Sequence, residues 1–154
     1  MAIPIEERFE VPAPIEQVWD YFSNLPQVAP CLPGAELIEI IDKKTYKGRV
    51  QVRVGQIRAK YQGTVVVEKV DRQHWSMTLV ARGDQQGVVG RAEARIAFAL
   101  QSLAADKTEV SVQVELSLAG RLAQLGGGLI QTVSRQLFRK FAECMQSEIL
   151  AASE

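Results

Sequence analysis

From residue 35 to residue 119, apolar and polar residues alternate with a period of two almost without a break. Successive side chains of a strand point to opposite faces, so this alternation predicts antiparallel strands with one covered face and one wet face. Val50, Val52 and Val54 oppose Arg49, Gln51 and Arg53, and Ile57, Ala59, Tyr61, Val65 and Val67 oppose Arg58, Lys60, Gln62 and Thr64. Gly55-Gln56, between those two runs, suits a two-residue type II′ hairpin. Trp75, Met77 and Leu79 start the next inward row. Ala92 to Leu100 and Val110 to Leu118 supply two more. The expectation is a six-stranded meander, and Gly48 and Gly63 inside its strands predict strong curvature, since strand glycines mark bends and bulges.

The ends of the chain have other periods. IPIEERFEV alternates like a strand, and VPAP then supplies a proline suited to a first helical turn. Ile15, Val18, Trp19 and Phe22 form a one-faced helical stripe. Three prolines in SNLPQVAPCLPG allow only a short second helical turn, with a sharp exit at Pro33-Gly34. Leu122, Leu125, Leu129, Val133, Leu137, Phe141 and Met145 then recur at spacings of three and four. We read one helix from about residue 121 to about residue 150, running through Gly126 to Gly128, with a start after Gly128 as the alternative, laid across the covered face of the sheet. The predicted fold is α+β, in the order β-α-α-β6-α, a curved antiparallel sheet wrapped around a long C-terminal helix in a single domain, residues 1–154.

That helix carries an unusual triplet, Gly126, Gly127 and Gly128. Glycine in a helix interior costs about 0.5–1 kcal/mol relative to alanine, so the triplet calls for a compensating role. Two roles are expected: a hinge or portal admitting a ligand beneath the helix, or close packing against the sheet.

Eighteen basic side chains balance eighteen acidic ones, so net charge points to no nucleic-acid partner. MAIPIEERFEV lacks the features of a signal peptide, and no stretch approaches the ~20 apolar residues of a membrane span. The expected compartment is the cytoplasm, with or without peripheral attachment to the inner face of the membrane. Cys31 and Cys144 lie far apart with no CxxC spacing and are expected as reduced thiols. With His74 the single histidine, set in a turn, neither a metal site nor a cofactor is expected.

Catalysis would need a nucleophile or proton carrier with partners in reach, and the inward rows contain almost none. Ser134 and Thr132 have no histidine to activate them, and Glu143 and Glu148 fall on the outer side of the helix. The run GDQQGVVG, Gly83 to Gly90, matches no phosphate-binding motif and reads as a strand connection. Trp19, Phe22, Trp75, Met77, Phe98 and Phe141 read either as packed core or as the lining of an apolar ligand cavity. Leu32, Val52, Tyr61 and Leu79, with Leu129, Val133 and Leu137 from the helix, complete the candidate lining. Between Lys43 and Lys60 there is no Asp or Glu, and Arg49, Arg53, Arg58 and Lys60 are expected to share the outer face of one hairpin. Such a face serves as a solvated guard against strand addition, or as a docking surface for an acidic partner or anionic lipid.

VPAPIEQVWDYF followed by CLPGAE is similar to the opening of START-like helix-grip proteins. CLPGAE, VRVGQIRAKYQG and GRLAQLG together resemble the carbon monoxide dehydrogenase G-subunit family, over about residues 3 to 145. By position, Cys31 to Gly34 correspond to the family's C-x-P-G turn, Gly55 to its hairpin glycine, and Leu122, Ala123 and Gly126 to the opening of its helix. The resemblance implies an apolar cavity for a quinone or lipid. It also implies a non-catalytic accessory role beside a molybdenum hydroxylase of the carbon monoxide dehydrogenase type, including its membrane recruitment. Two other functions fit the same pattern: an aromatase/cyclase-like enzyme acting on a hydrophobic substrate, and a ligand-free adaptor.

Overall fold

The alternation becomes a seven-stranded antiparallel sheet in a computed structural model that describes residues 2–152. The strands are β1 (Ala2–Val11), β2 (Ala35–Ile40), β3 (Thr45–Val54), β4 (Ile57–Asp71), β5 (Ser76–Gln85), β6 (Arg91–Ala104) and β7 (Lys107–Ala119). Their spatial order is β1-β7-β6-β5-β4-β3-β2, so the meander runs from one edge and β1 closes the other beside the last strand. Between β1 and β2 come α1 (Ile15–Ser23), α2 (Leu25–Val28) and a 3-10 turn over Ala29–Cys31. Val54 pairs with Ile57, and Gly55 has φ 61° while Gln56 stays at negative φ, as a type II′ hairpin requires. The run from Gly83 is only partly a connection, because Gly83, Asp84 and Gln85 continue β5.

The C-terminal segment differs from the single helix expected. Arg121–Leu125 forms a 3-10 turn, Gly126 turns back at φ 87°, and α3 (Gly127–Ala152) begins one residue later. Leu122 and Leu125 keep the apolar spacing across the break because a 3-10 turn also returns side chains to the same side every three residues. Periodicity therefore did not register the break. An added Cβ at Gly126, Gly127 or Gly128 would meet nothing within 4 Å, which removes close packing against the sheet as their role. Gly126 is instead the joint, at φ 87° and ψ 151°, a positive-φ extended conformation essentially confined to glycine that costs another residue roughly 1–3 kcal/mol.

α3 makes its closest backbone approach to β1, with further approaches to β3, α1 and the Ala29–Cys31 turn. β1 has a free edge, and α3 covers it: the Gln131 side-chain amide donates to Pro4 O at 2.9 Å and that of Gln146 to Glu10 O. Burying or pairing an edge in this way removes a template for strand addition. Near the end of α3, Phe141, Met145 and Ile149 bury among Val18, Trp19 and Phe22 of α1 and Val110 and Val112 of β7. A buried Thr108 hydroxyl donates to Ala13 O at 2.8 Å and pins the corner where β1 leads into α1.

Cys31 and Cys144 are not free thiols. They form a disulfide with their Cα atoms 5.3 Å apart, joining the 3-10 turn to α3 across 113 positions of sequence. Sequence spacing carries no information about such a pair, since only the docking of α3 brings the two together. The buried Tyr21 hydroxyl donates to Cys31 Sγ at 3.3 Å.

Candidate functional site

The sheet face turned toward α3 is filled at both ends and thinly filled between. At one end Val67, Met77, Leu79, Leu100, Val110 and Val112 pack with α1 and the last turns of α3. At the other, Ile3, Ile5, Val54, Ala59, Tyr61 and Leu118 pack with Leu122 and Ile130. Val114 and Phe138 are half-buried and border both clusters.

Between the clusters the side chains are small. Gly48, Gly63, Gly83 and Ala92 are successive register partners across β3, β4, β5 and β6, and Ala81 and Ala94 are partners in the adjoining row. Gly63 is where the strands crowd most, since a Cβ there would stand 1.8 Å from Arg82 O. Glycine at this position permits the sharp bend, and the same absence of side chains leaves the inner face bare. Around it Ala81 and Ala94 are half-buried, while Val65 and Ile96 pack against the first cluster and Val50 and Leu116 against the second. The middle of this face therefore carries little side-chain volume of its own.

The sequence-predicted lining divides between these regions. Trp19, Phe22, Met77, Leu79 and Phe141 are fully buried in the first cluster, with Trp75 and Phe98 half-buried against it. Their rings are packed together: Trp19 against Trp75 with centroids 5.8 Å apart, and Phe22 against Phe98 at 4.9 Å and Phe141 at 6.3 Å. Tyr61 belongs to the second cluster, flanked by half-buried Val52 and Val133. Leu137 is half-buried on α3. Leu32 and Leu129 are 43% and 41% exposed, at the surface rather than over the inner face.

One inner-face residue was missed. Gln85 continues the parity of Met77, Leu79, Ala81 and Gly83 and is 8% exposed. That parity was the signal available, and reading Gly83 to Gly90 as a connection concealed it. Among the described residues, the Tyr61 hydroxyl and Gln85 Oε1 are buried side-chain atoms without a hydrogen-bond partner. Burial pushes the Tyr61 phenol above its ordinary pKa, so it is a neutral donor.

Outside, Arg49, Arg53, Arg58 and Lys60 are all exposed on the β3–β4 hairpin, with Arg53 directly opposite Arg58. Their partners differ. Glu36 of β2 takes Arg49 in a two-bond pair at 3.0 and 3.2 Å, and Arg53 Nε donates to Gly55 O. Arg58 and Lys60 instead meet Arg121, a third cation, around a cleft of about 330 Å³ whose other walls are Gln51, Gln85, Gln86 and Val88. Beside it Val88 and Val89 stand 47% and 95% exposed on the β5–β6 loop.

Elsewhere two polar side chains singled out above are tied down at the surface. His74 Nδ1 lies 2.7 Å from Asp71 in the β4–β5 turn, and the Thr132 hydroxyl donates back to Gly128 O. No grouping of three metal-ligating side chains occurs among the described residues.

Residues 8–150 match the family described as the G subunit of carbon monoxide dehydrogenase, CoxG. The chain belongs to the CoxG family. No curated protein sequence matches it. In three dimensions this CoxG chain is similar to a conserved protein from Geobacillus kaustophilus, with a TM-score of 0.87, 20% identity and 97% of each chain covered. A START superfamily protein from Mycobacterium smegmatis gives a TM-score of 0.67 at 13% identity, covering 97% of this chain and 98% of that one. Norcoclaurine synthase from Thalictrum flavum, in complex with dopamine and hydroxybenzaldehyde, gives 0.67 at 16% identity, covering 98% and 88%. At these identities the likeness establishes the fold alone, a helix-grip fold in which a curved sheet wraps around α3.

Proposed function

We propose that this CoxG protein is a non-catalytic accessory protein that holds a hydrophobic molecule, a quinone or lipid, between the sheet and α3. One observation carries the reading: the row Gly48, Gly63, Gly83 and Ala92, with Ala81 and Ala94 beside it, puts little side-chain volume in the middle of a face whose two ends are packed. Ligand sites are mainly apolar with few polar groups, and this region has that composition. Membership of the CoxG family supports service beside a molybdenum hydroxylase of the carbon monoxide dehydrogenase type. Membrane recruitment draws support from the cations Arg58, Lys60 and Arg121 next to the exposed Val88–Val89 tip, since basic residues with an adjacent apolar tip suit an anionic lipid surface. Among the described residues no helix is long and apolar enough to cross a membrane, so contact of this kind would be peripheral. In this reading Gly126 is the hinge at which α3 gives access to the interior.

Native mass spectrometry before and after lipid extraction tests the carrier role. A mass increment of a few hundred daltons that disappears on extraction and returns on adding quinone or lipid is expected. A chain that carries no increment and takes none up overturns it.

A further inference from the structure

Arg49, Arg82, Arg91 and Arg95 on the sheet pair with Glu36, Glu93, Asp84 and Glu68 in turn. Arg58, Lys60 and Arg121 differ: they line one cleft of about 330 Å³, and among the described residues none of them has a carboxylate partner. Asp84, on the strand next to β4, is already engaged by Arg91, and Arg58 stands directly opposite another cation, Arg53. Like charges set side by side destabilise a sheet, so three unpaired cations in one cleft need a reason. Arg121 reaches the cleft only through tertiary structure. Gly120 before it has φ 106°, and a Cβ there would stand 2.9 Å from Gly90 Cα and Val89 O, so glycine is required where the chain turns against the β5–β6 loop. That contact also sets the exposed Val88–Val89 tip at the rim of the cleft.

We propose that this cleft is a site for one phosphomonoester headgroup of a membrane lipid. The proposal rests on the membrane reading above and adds the lipid chemistry that the surface selects. A phosphomonoester carries about 1.5 to 2 negative charges near neutral pH and three terminal oxygens. The phosphodiester of phosphatidylglycerol has one charge fewer at full ionisation and one terminal oxygen fewer, so it engages the three cations less completely. The guanidinium groups of Arg58 and Arg121 suit two-bond contacts to phosphate oxygens, and Lys60 adds a compact charge. The apolar tip decides the source of the phosphate. Val89 is 95% exposed beside the cleft, a feature that a lipid surface covers and a soluble ester leaves in water.

The test is sedimentation with phosphatidylcholine vesicles that carry either phosphatidate or enough phosphatidylglycerol to reach the same zeta potential. The native protein is expected to bind the phosphatidate vesicles about 5-fold more tightly, the effect of one further charge contact at a lipid surface. Arg121→Gln is expected to abolish that preference. Arg53→Gln removes an equal charge from the β3–β4 hairpin outside the cleft and is expected to keep it. Both side chains are exposed, and melting temperatures equal to the native value verify that the variants fold. Equal binding to the two vesicles, or a preference that survives Arg121→Gln, overturns the inference and leaves the membrane reading standing. Binding to neither vesicle overturns both. A protein that ignores both vesicles but shows chemical-shift changes at Arg121 with glycerol 3-phosphate holds a soluble ester, and the lipid assignment fails.

Discussion

Cys31, in the turn that follows α2, is covalently bonded to Cys144, in the C-terminal half of α3, and so fastens the far end of the helix to the start of the sheet. The near end joins the sheet through the Gly126 turn. A bridge closing 113 positions restricts the unfolded chain strongly, with stabilisation of about 2–4 kcal/mol typical. Replacing both cysteines with serine is therefore expected to lower the melting temperature by roughly 5–15 °C. Calorimetry of the variant beside the native protein, with and without reductant, checks this: reductant should lower only the native transition.

The three glycines should separate on substitution. Gly127→Ala and Gly128→Ala add side chains to open space in the first turn of α3, and each is expected to stabilise by up to about 0.5–1 kcal/mol. Gly126→Ala forces an L-residue to φ 87° and is expected to destabilise by roughly 1–3 kcal/mol. Urea denaturation of the three variants measures the order. A stabilising Gly126→Ala would contradict the positive-φ joint.

At Gly63 the sign is not in question. Its Cβ would stand 1.8 Å from the backbone oxygen of Arg82, where no flexible side chain can give way. Gly63→Ala must part β4 from β5, and a loss above about 3 kcal/mol is expected, a size reserved for a few named mechanisms such as this one. Hydrogen exchange should place the loss in those two strands.

Tyr21 gives a pH signature. Burial, with the nearby Glu148 charge adding to it, pushes its pKa up to about 12. The folded state thus holds the phenolic proton more tightly than the unfolded state, whose ordinary value is about 10. Its contribution is present in full below about pH 10 and is lost as pH rises toward 12. Unfolding titrations of the native protein and Tyr21→Phe should diverge only in that window, with the variant declining less.

The basic hairpin divides functionally by which charges are already paired. Arg49 is bonded to Glu36, whereas Arg58 and Lys60 face the cleft with Arg121. Reversing Arg58 and Lys60 to glutamate is expected to reduce binding to vesicles containing phosphatidylglycerol by 10-fold or more, at roughly 1 kcal/mol per cation. Arg49→Glu should change it less. Sedimentation with neutral vesicles as the control distinguishes charge from insertion, and equal losses would show that pairing with Glu36 does not matter.

Strand order and face were legible because alternation is a local property. Val50, Tyr61, Met77 and Val112 announce the covered face through their immediate neighbours. The same reasoning placed Arg49, Arg53, Arg58 and Lys60 on one wet face, where the structure has them. It could not supply Glu36 for Arg49, because that pairing depends on which strand lies at the edge. Trp19, Phe22 and Phe141 fit packed core and cavity lining alike, and a hydrophobic pattern cannot separate the two: burial beside another ring and burial beside a ligand favour the same residues.

What the sequence determined alone is what repeats within a few residues: the meander, the one-faced α1, the apolar stripe of α3, the Gly55-Gln56 turn and the motifs that resemble CoxG. What only the tertiary structure decided involves residues far apart or a backbone angle. Cys31 meets Cys144 because α3 docks across the sheet, and Gly48, Gly63 and Gly83 become one row only when three strands pair in register. Gly126 breaks the helix without disturbing its spacing, since period reports which side a residue faces and not the sign of φ. Tyr61 and Gln85, far apart along the chain, become register partners only when β4 pairs with β5.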